Sequence, residues 1–398
     1  MKTAAFVLED SPIRLWGLGS RERLRRQVAQ IRALVWIDDL AELAPGQRVL
    51  LVKASYLFEL RTLKALLSHP NRSLLCESDG QAAAALLDEG NRATGLGYLR
   101  DGGPESPLPT ITTGELVSFD AQLRRSEPPL LEPISESNRE RLEATLYGNA
   151  YKGITDLVTK WLWPRPAMHG VRLCARLGLS PNMVTGFGLA LMLATSVLFL
   201  NGYYVWGLLL GWLMTYLDTV DGKLARVTVQ SSRIGHALDH GMDAIHPPFW
   251  YAFWGLSLAH VDSGFGLELA DYLGLVIGGY VAGRVAEGAF ERLLACPLFA
   301  WRPFDAYFRL ITARRNPCLI LLSLGMLCQR PDWGFMAVAW WTALSSAVLA
   351  LRLAQGTFSR WRHGPLQSWL QNAETARSRH PSAYRTFANT QAAYLPSS

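Results

Sequence analysis

Four carboxylates at helical spacing lie within residues 218–243, inside a strongly apolar part of the chain. Asp218 and Asp221 are three residues apart, and Asp239 and Asp243 are four apart, so each pair shares one face if both segments are helical. Ionisable side chains on membrane helices are costly and usually functional. The spacing therefore predicts a polar site built from two helices.

Two such helices facing each other would bring four carboxylates to one point, where protons or bound cations relieve their repulsion. Oxygen-only ligands favour Mg²⁺, Mn²⁺ or Ca²⁺ over zinc. His236, His240 and His246 flank the acids. We assign these histidines to packing or to support of the ligands, because the carboxylates already supply enough hard donors.

Small residues and one arginine separate the acid pairs, namely Gly222, Ala225, Arg226 and Gly235. Small residues leave room for a ligand, and a guanidinium supplies the charge that a phosphate requires. The stretch resembles the signature of the CDP-alcohol phosphotransferases, D-x2-D-G-x2-A-R-x8-G-x3-D-x3-D. Every specified position matches at the correct gap. A coincidental acidic loop between two spans is a poor alternative, given what buried charge costs.

This resemblance implies a reaction in which an acceptor hydroxyl attacks the β-phosphorus of a CDP-alcohol and releases CMP. CDP-diacylglycerol is one such donor, and a homodimer is implied. By the same resemblance Asp218, Asp221 and Asp239 hold two Mg²⁺ or Mn²⁺ ions, and Asp243 lies beside the metals as general base. The residues implied to border the nucleotide are Gly222, Ala225, Arg226 and Gly235.

Residues 181–185, PNMVT, resemble a motif that the family commonly has at the start of its first span. The resemblance implies that Asn182 and Thr185 lie near the cytidine nucleotide. The alternative is that both residues simply cap the helix.

Apolar segments predict about six transmembrane helices. They fall at 183–200, 203–222, 236–258, 268–290, 314–329 and 333–356. Lys and Arg concentrate in alternate loops, which predicts that both termini and the acidic site face the cytoplasm. We expect an integral protein of the lipid bilayer, in the inner or cytoplasmic membrane if the source is bacterial.

The fold class is an α/β soluble N-terminal domain plus an all-α polytopic membrane domain. We place the soluble domain at 1–140, a linker with an interfacial amphipathic helix at 141–180, the membrane domain at 181–358 and a polar cytoplasmic tail at 359–398. The tail is expected to be partly disordered from residue 367.

Alternating strand and helix patterns before residue 140 predict a largely parallel sheet. Strands are predicted at 4–8, 33–37, 49–52 and 73–76, and helices at 20–34, 57–67 and 81–87. The order resembles a nucleotidyltransferase domain, which some members of the family carry as a fusion. Residues 9–14 lack the glycine-rich phosphate loop, and 53–55 lack the expected metal-binding aspartate. We expect a non-catalytic domain; an active cytidylyltransferase is the alternative.

Arginines outside the signature suggest where an anionic acceptor would bind. Arg314 and Arg315 begin the fifth predicted span, where they either bind a phosphorylated acceptor or only set topology. Arg284 and Glu287 are three residues apart on the fourth span, and we expect them to pair.

Charge and cysteine content exclude other classes. The net charge of +6 arises largely from Lys and Arg beside membrane segments, which favours anionic headgroups over nucleic acid as the partner. The five cysteines are scattered, so no disulfide framework or zinc site is predicted, and the first residues do not resemble a signal peptide. A cation or proton transporter would also use membrane carboxylates, but it does not explain the Gly, Ala and Arg positions.

Overall fold

The structure is a computed structural model that describes residues 2–103, 106–116, 119–120, 125–126, 129–230, 233–258 and 267–388. The side chains of 119–120, 125–126, 233–240 and 242–244 are not described.

The N-terminal domain contains a six-stranded sheet in the order β2-β1-β3-β6-β5-β7. Strand β6 is antiparallel to both of its neighbours, and the other pairs in the sheet are parallel. The predicted α/β class is therefore confirmed, but the prediction of a largely parallel sheet is wrong: the sheet is mixed, because β6 runs antiparallel to β3 and β5. The strands are β1 Thr3–Leu8, β2 Leu34–Trp36, β3 Val49–Lys53, β4 Tyr56–Phe58, β5 Arg72–Leu75, β6 Ala82–Leu87, β7 Thr110–Thr112, β8 Phe119–Asp120, β9 Arg125–Ser126 and β10 Leu131–Pro133; the helices are α1 Ser20–Ala29, α2 Leu60–Leu66 and α3 Arg92–Asp101.

The prediction of a helix at 81–87 is wrong, because this segment is the central strand β6. All six residues of β6 are buried, and a short apolar run buried on both faces carries no periodicity that separates strand from helix. The predicted helix at 20–34 ends earlier, at Ala29, because Leu34 already begins β2.

The remainder of the chain is mostly helical. Its helices are α4 Arg139–Asn149, α5 Pro164–Arg176, α6 Pro181–Leu200, α7 Tyr204–Val227, α8 Arg233–Leu256, α9 Leu269–Leu294, α10 Pro303–Ile311, α11 Arg315–Leu327, α12 Pro331–His363, α13 Ala373–Arg379 and α14 Pro381–Phe387. Helices α6, α7, α8, α9, α11 and α12 occupy the six predicted intervals.

Three helices of the described chain are long and apolar enough to cross a membrane, namely α6, α9 and α12. A fourth span results if α10 and α11, which meet at a bend of 44°, count as one. Helix α7 carries the acids and basic residues of the signature, which lower its mean hydropathy. Large apolar side chains such as Phe187, Trp206 and Val285 point outward, as expected for helices that contact lipid. The count of six spans stays a prediction.

Aromatic packing holds the signature helices together. Trp250 and Trp254 of α8 are fully buried and contact Phe199 of α6 edge to face. Trp250 Nε1 also donates to Met192 O at 3.1 Å. These contacts fix α8 against α6, and α6 packs along α7.

The segment after α12 folds back onto the helical domain. Leu370 and Phe387 are fully buried in one cluster with Leu298 and Phe299. The described part of the predicted polar tail is therefore packed up to residue 388, because a few apolar residues in a polar sequence suffice to anchor it.

Candidate active site

Helix α7 carries the first half of the signature near its C-terminal end. Asp221 is 6% exposed, and Asp218 lies one turn earlier. Both acids belong to the polar end of a helix whose preceding turns are apolar, as the sequence pattern predicts.

Thr185 of α6 contacts the signature directly. Its hydroxyl Oγ1 donates to Asp221 Oδ2 at 2.6 Å. The cap of α6 is Ser180, whose side chain accepts from Met183 N, so the capping alternative for Thr185 is wrong. Asn182 lies one turn before Thr185 and is exposed. The two residues of the PNMVT motif thus lie at the end of α6 nearest the acids.

Arg315 at the start of α11 faces the other acid of α7. Its Nη2 donates to Asp218 Oδ2 at 2.5 Å, and its Nη1 lies 3.8 Å from Met214 Sδ. Both side chains of this ion pair are largely buried. Charge-assisted contacts of this kind are strong and directional.

A second group of charges lies beside Arg315. Arg284 Nη1 lies 2.9 Å from Glu287 Oε2, which confirms the predicted pairing on α9. Arg314 also forms an ion pair with Glu287, and its guanidinium lies 5.5 Å from the Phe299 ring centroid. Arg314 is therefore tied to α9, while its neighbour Arg315 is tied to α7.

The first turn of α11 is fixed by a buried polar contact that the sequence analysis missed. Asn316 Nδ2 donates to Asp156 Oδ1 at 2.9 Å, and the same oxygen accepts from the backbone N–H of Thr159 at 3.0 Å. Burial opposes ionisation of Asp156, but the charge of Arg309 and these hydrogen bonds outweigh it and lower the pKa. The ionised Asp156 thereby orients the start of α11. Asp156 lies in the segment between α4 and α5, and no motif or periodicity in the sequence predicts a structural role for it.

The basic residues of the signature converge on one carbonyl. Arg226 Nη1 donates to Ala150 O at 3.0 Å, and Lys223 Nζ donates to the same oxygen at 2.9 Å. Lys223 is 5% exposed and lies 3.4 Å from the Tyr151 ring centroid, whereas Arg226 is exposed. A Cβ added to Gly222 would lie 3.6 Å from Arg226 Nη1, so this glycine adjoins the guanidinium. Arg226 is therefore the outward-facing cation of this group, and Lys223 is the buried one.

The second half of the signature lies on α8. The backbone of α8 includes Gly235, Asp239 and Asp243, so both halves are on helices that follow one another in the chain. The side chains of these residues, and of His236 and His240, lie outside the described part of the structure. His246 is described and packs 4.8 Å from the Trp250 ring, as expected for a packing role.

The described acids suit a hard cation. Among the described side chains, no three His, Cys, Asp or Glu residues lie close enough to hold a metal ion. Asp218 and Asp221 contribute carboxylate oxygens alone, and both accept from neutral or cationic donors that hold them in place. This donor chemistry fits Mg²⁺ or Mn²⁺, for which α8 would have to supply the remaining oxygens.

In the N-terminal domain, an ion pair lies at the carboxyl ends of β1 and β3. Lys53 Nζ lies 3.3 Å from Glu9 Oε1, and Ser55 Oγ donates to Glu9 Oε2 at 2.5 Å. Lys53 is the last residue of β3, and Glu9 directly follows β1, at the strand ends where a nucleotidyltransferase would bind phosphate. The nucleotidyltransferase resemblance itself stays a prediction.

Fold and site together define a membrane protein with an acidic site on consecutive helices. Residues 179–277 match the family model described as CDP-alcohol phosphatidyltransferase, which confirms the resemblance predicted from the signature.

Named relatives match part of the chain. Cholinephosphotransferase 1 of Rattus norvegicus is 30% identical over 131 residues, which cover 30% of this chain and 31% of that protein. Phosphatidylinositol phosphate synthase of Mycobacteroides abscessus is 35% identical over 89 residues, or 20% of this chain and 40% of that protein. The match thus spans about a third of the length of these relatives. The apo structure of Mycobacterium tuberculosis phosphatidylinositol phosphate synthase is similar at 20% identity and TM-score 0.36, over 48% of this chain and 94% of that one.

Proposed function

We propose that this protein is a metal-dependent membrane transferase that moves a phosphoalcohol group from a CDP-alcohol to an acceptor hydroxyl. The observation that carries the proposal is the complete signature on α7 and α8, with its described acids held by Thr185 and Arg315. The family match over residues 179–277 supports the same reaction class. CDP-diacylglycerol is the proposed donor.

In the proposed reaction the acceptor oxygen forms a bond to the β-phosphorus while the bond from that phosphorus to the CMP oxygen breaks. Asp243 accepts the hydroxyl proton, and CMP departs with the anhydride oxygen. Asp218, Asp221 and Asp239, with Asp243 beside them, would hold two divalent ions, which when bound neutralise the diphosphate and the leaving group. Thr185 and Arg315 keep the α7 carboxylates in place for this task.

The nucleotide is proposed to lie against the outward-facing part of the signature. Arg226 is exposed there, and its guanidinium is oriented by Ala150 O and by Gly222 O at 3.0 Å. An arginine oriented by neutral carbonyls can still offer N–H groups to a phosphate. Small residues at 222, 225 and 235 leave room for the ligand, and Asn182 with Thr185 completes the nucleotide side.

The acceptor is proposed to carry a phosphate, as glycerol phosphate and inositol phosphate do. The support is the position of Arg315, whose guanidinium contacts Asp218. Arg314 pairs with Glu287 of α9, whereas Arg315 pairs with an acid of the signature, so Arg315 is the stronger of the two proposed acceptor residues. Named relatives include a cholinephosphotransferase and a phosphatidylinositol phosphate synthase, so similarity alone does not select the acceptor.

The proposal also assigns the site and both termini to the cytoplasmic face, the N-terminal domain to a non-catalytic role, and the assembly to a homodimer. The Lys53–Glu9 ion pair supports the non-catalytic role, because it neutralises Lys53, the basic residue at the end of β3.

The experiment incubates the purified full-length chain in lipid vesicles with CDP-diacylglycerol, Mn²⁺ or Mg²⁺, and a panel of acceptors while CMP is measured. We expect CMP release only with both metal and acceptor. Metal-dependent cation flux without CMP would favour a transporter instead. Pyrophosphate release from CTP and a phosphoalcohol by the same protein would show that the N-terminal domain is active.

A further inference from the structure

One face of α1 in the N-terminal domain contacts the end of the signature helix α7. Arg23 Nη1 donates to Val227 O at 2.8 Å, and Arg26 Nη1 donates to Thr228 O at 2.9 Å. The two arginines are three residues apart and therefore share a helix face. Both reach carbonyls that a helix leaves without intrahelical partners at its C-terminal end.

Arg23 is the buried member of this contact. It is 3% exposed, and its Nη2 donates to Leu15 O at 2.9 Å. Burial lowers its pKa to about 10, so the side chain remains protonated at neutral pH. A cation is favoured at the C-terminal end of a helix, where the backbone dipoles present partial negative charge.

The contacted corner has an unusual backbone. Val229 has φ +53°, a left-handed conformation that is a genuine outlier for a β-branched residue. Gln30, the residue that caps the C-terminal end of α1, has its Nε2 3.5 Å from Val229 O. Gln230 N donates to Ala225 O at 2.8 Å and closes the end of α7. Such strain persists only where the surrounding structure holds it.

We propose that Arg23, Arg26 and Gln30 form a clamp, the α1 clamp, that fixes the corner after α7, and that Arg23 is a positioning residue for the transferase site. Helix α8 begins at Arg233, shortly after Val229, so the corner belongs to the connection between the two signature helices. The clamp would thus fix the start of the α8 backbone relative to the end of α7 that carries Asp218 and Asp221. The inference rests on the proposed function, and it gives the non-catalytic domain a role in the reaction.

The test compares Arg23→Gln with the wild type by amide hydrogen exchange on the purified full-length chain. We expect amides 228–230 to exchange about tenfold faster, while the amides of β1 keep their protection. In CMP release, the Mn²⁺ concentration for half-maximal rate should rise about tenfold with an unchanged KM for the CDP-alcohol. Arg23→Lys should restore part of both effects. Arg25→Gln is the matched control, because Arg25 is exposed on the same helix.

Unchanged exchange at 228–230 in Arg23→Gln would overturn the clamp, and so would equal effects in Arg25→Gln. If Arg23→Gln instead loosens β1 as well, Arg26→Gln decides the matter: faster exchange at the corner alone supports the clamp, and wild-type exchange there overturns it. If the wild type releases no CMP, the proposed function fails, while the exchange measurement still decides the clamp.

Discussion

Arg315 Nη2 lies 2.5 Å from Asp218 Oδ2, so the first turn of α11 is joined to the acidic end of α7. The neighbouring Asn316 is held by Asp156 at 2.9 Å, which orients this turn. A guanidinium at this position is near enough to the signature to contact both an anionic substrate and an acid of the site.

Replacing Arg315 with Ala should raise the KM for a phosphorylated acceptor by at least about tenfold and leave the KM for the CDP-alcohol unchanged, because a charge-assisted contact to the acceptor is lost. Steady-state CMP release with each substrate varied in turn measures both constants. Arg292→Ala, at an exposed arginine of α9, is the control. An unaltered acceptor KM would exclude Arg315 from acceptor binding and leave it the role of holding Asp218.

Thr185→Val removes the hydroxyl that donates to Asp221 while keeping the side-chain shape. A hydrogen bond to a carboxylate contributes about 1.5–3 kcal/mol, so the Mn²⁺ requirement should rise about tenfold or more. Thr185→Ser should stay near wild type. Thr357→Val serves as control, because the Thr357 hydroxyl donates to Leu353 O within α12 and the residue is exposed. Equal metal requirements in all four proteins would refute a role for the hydroxyl.

A buried ion pair should dominate the stability of the α10–α12 contact. Arg352 Nε and Nη2 lie 2.6 and 2.7 Å from the two carboxylate oxygens of Asp305, and the guanidinium lies 4.3 Å from the Trp301 ring. Arg352→Met leaves the buried carboxylate of Asp305 without its cation. The free energy of unfolding should fall by about 3–5 kcal/mol, seen as a lower thermal midpoint. Arg48→Met, which breaks the exposed pair with Asp88, should cost under about 1 kcal/mol. Similar shifts of the thermal midpoint in both variants would contradict the prediction that the buried pair contributes more to stability than the exposed pair.

Lys160 should make stability depend on pH. Burial lowers its pKa from 10.5 to about 8. Between these values the unfolded chain binds more protons than the folded chain, so stability rises with pH through this window. The thermal midpoint of the wild type minus that of Lys160→Met should therefore increase from about pH 8 to about pH 10. A difference that falls over the same range would show that the charged form is favoured in the fold.

Much of the membrane half could be predicted from the sequence, because its helices and the pairs on them depend on residues that are close together in the chain. Apolar segments long enough for helices fix where α6, α7, α8, α9, α11 and α12 occur, and the acids at 218 and 221 lie on the predicted helix. The Arg284–Glu287 pair follows from helical spacing alone. The resemblance to the family was recognisable because the residues of the signature have fixed spacing.

Features that depend on tertiary packing were not predictable. The segment 82–87 is alanine-rich and helix-prone, yet its place between β3 and β5 makes it a strand. The contact of Thr185 with Asp221 and the contact of Arg23 with Val227 join residues far apart in sequence. No periodicity within one segment carries that information.

Metal-dependent CMP release by the wild type and by Asp221→Asn tests the central claim most directly. Asp221 is buried at the acidic end of α7, and Asn keeps its shape while removing the charge that a divalent ion requires. With CDP-diacylglycerol, Mn²⁺ and a phosphorylated acceptor, we expect CMP from the wild type and none above background from the variant, whose thermal midpoint should remain close to that of the wild type. Near-normal CMP release by a folded Asp221→Asn protein would contradict the account.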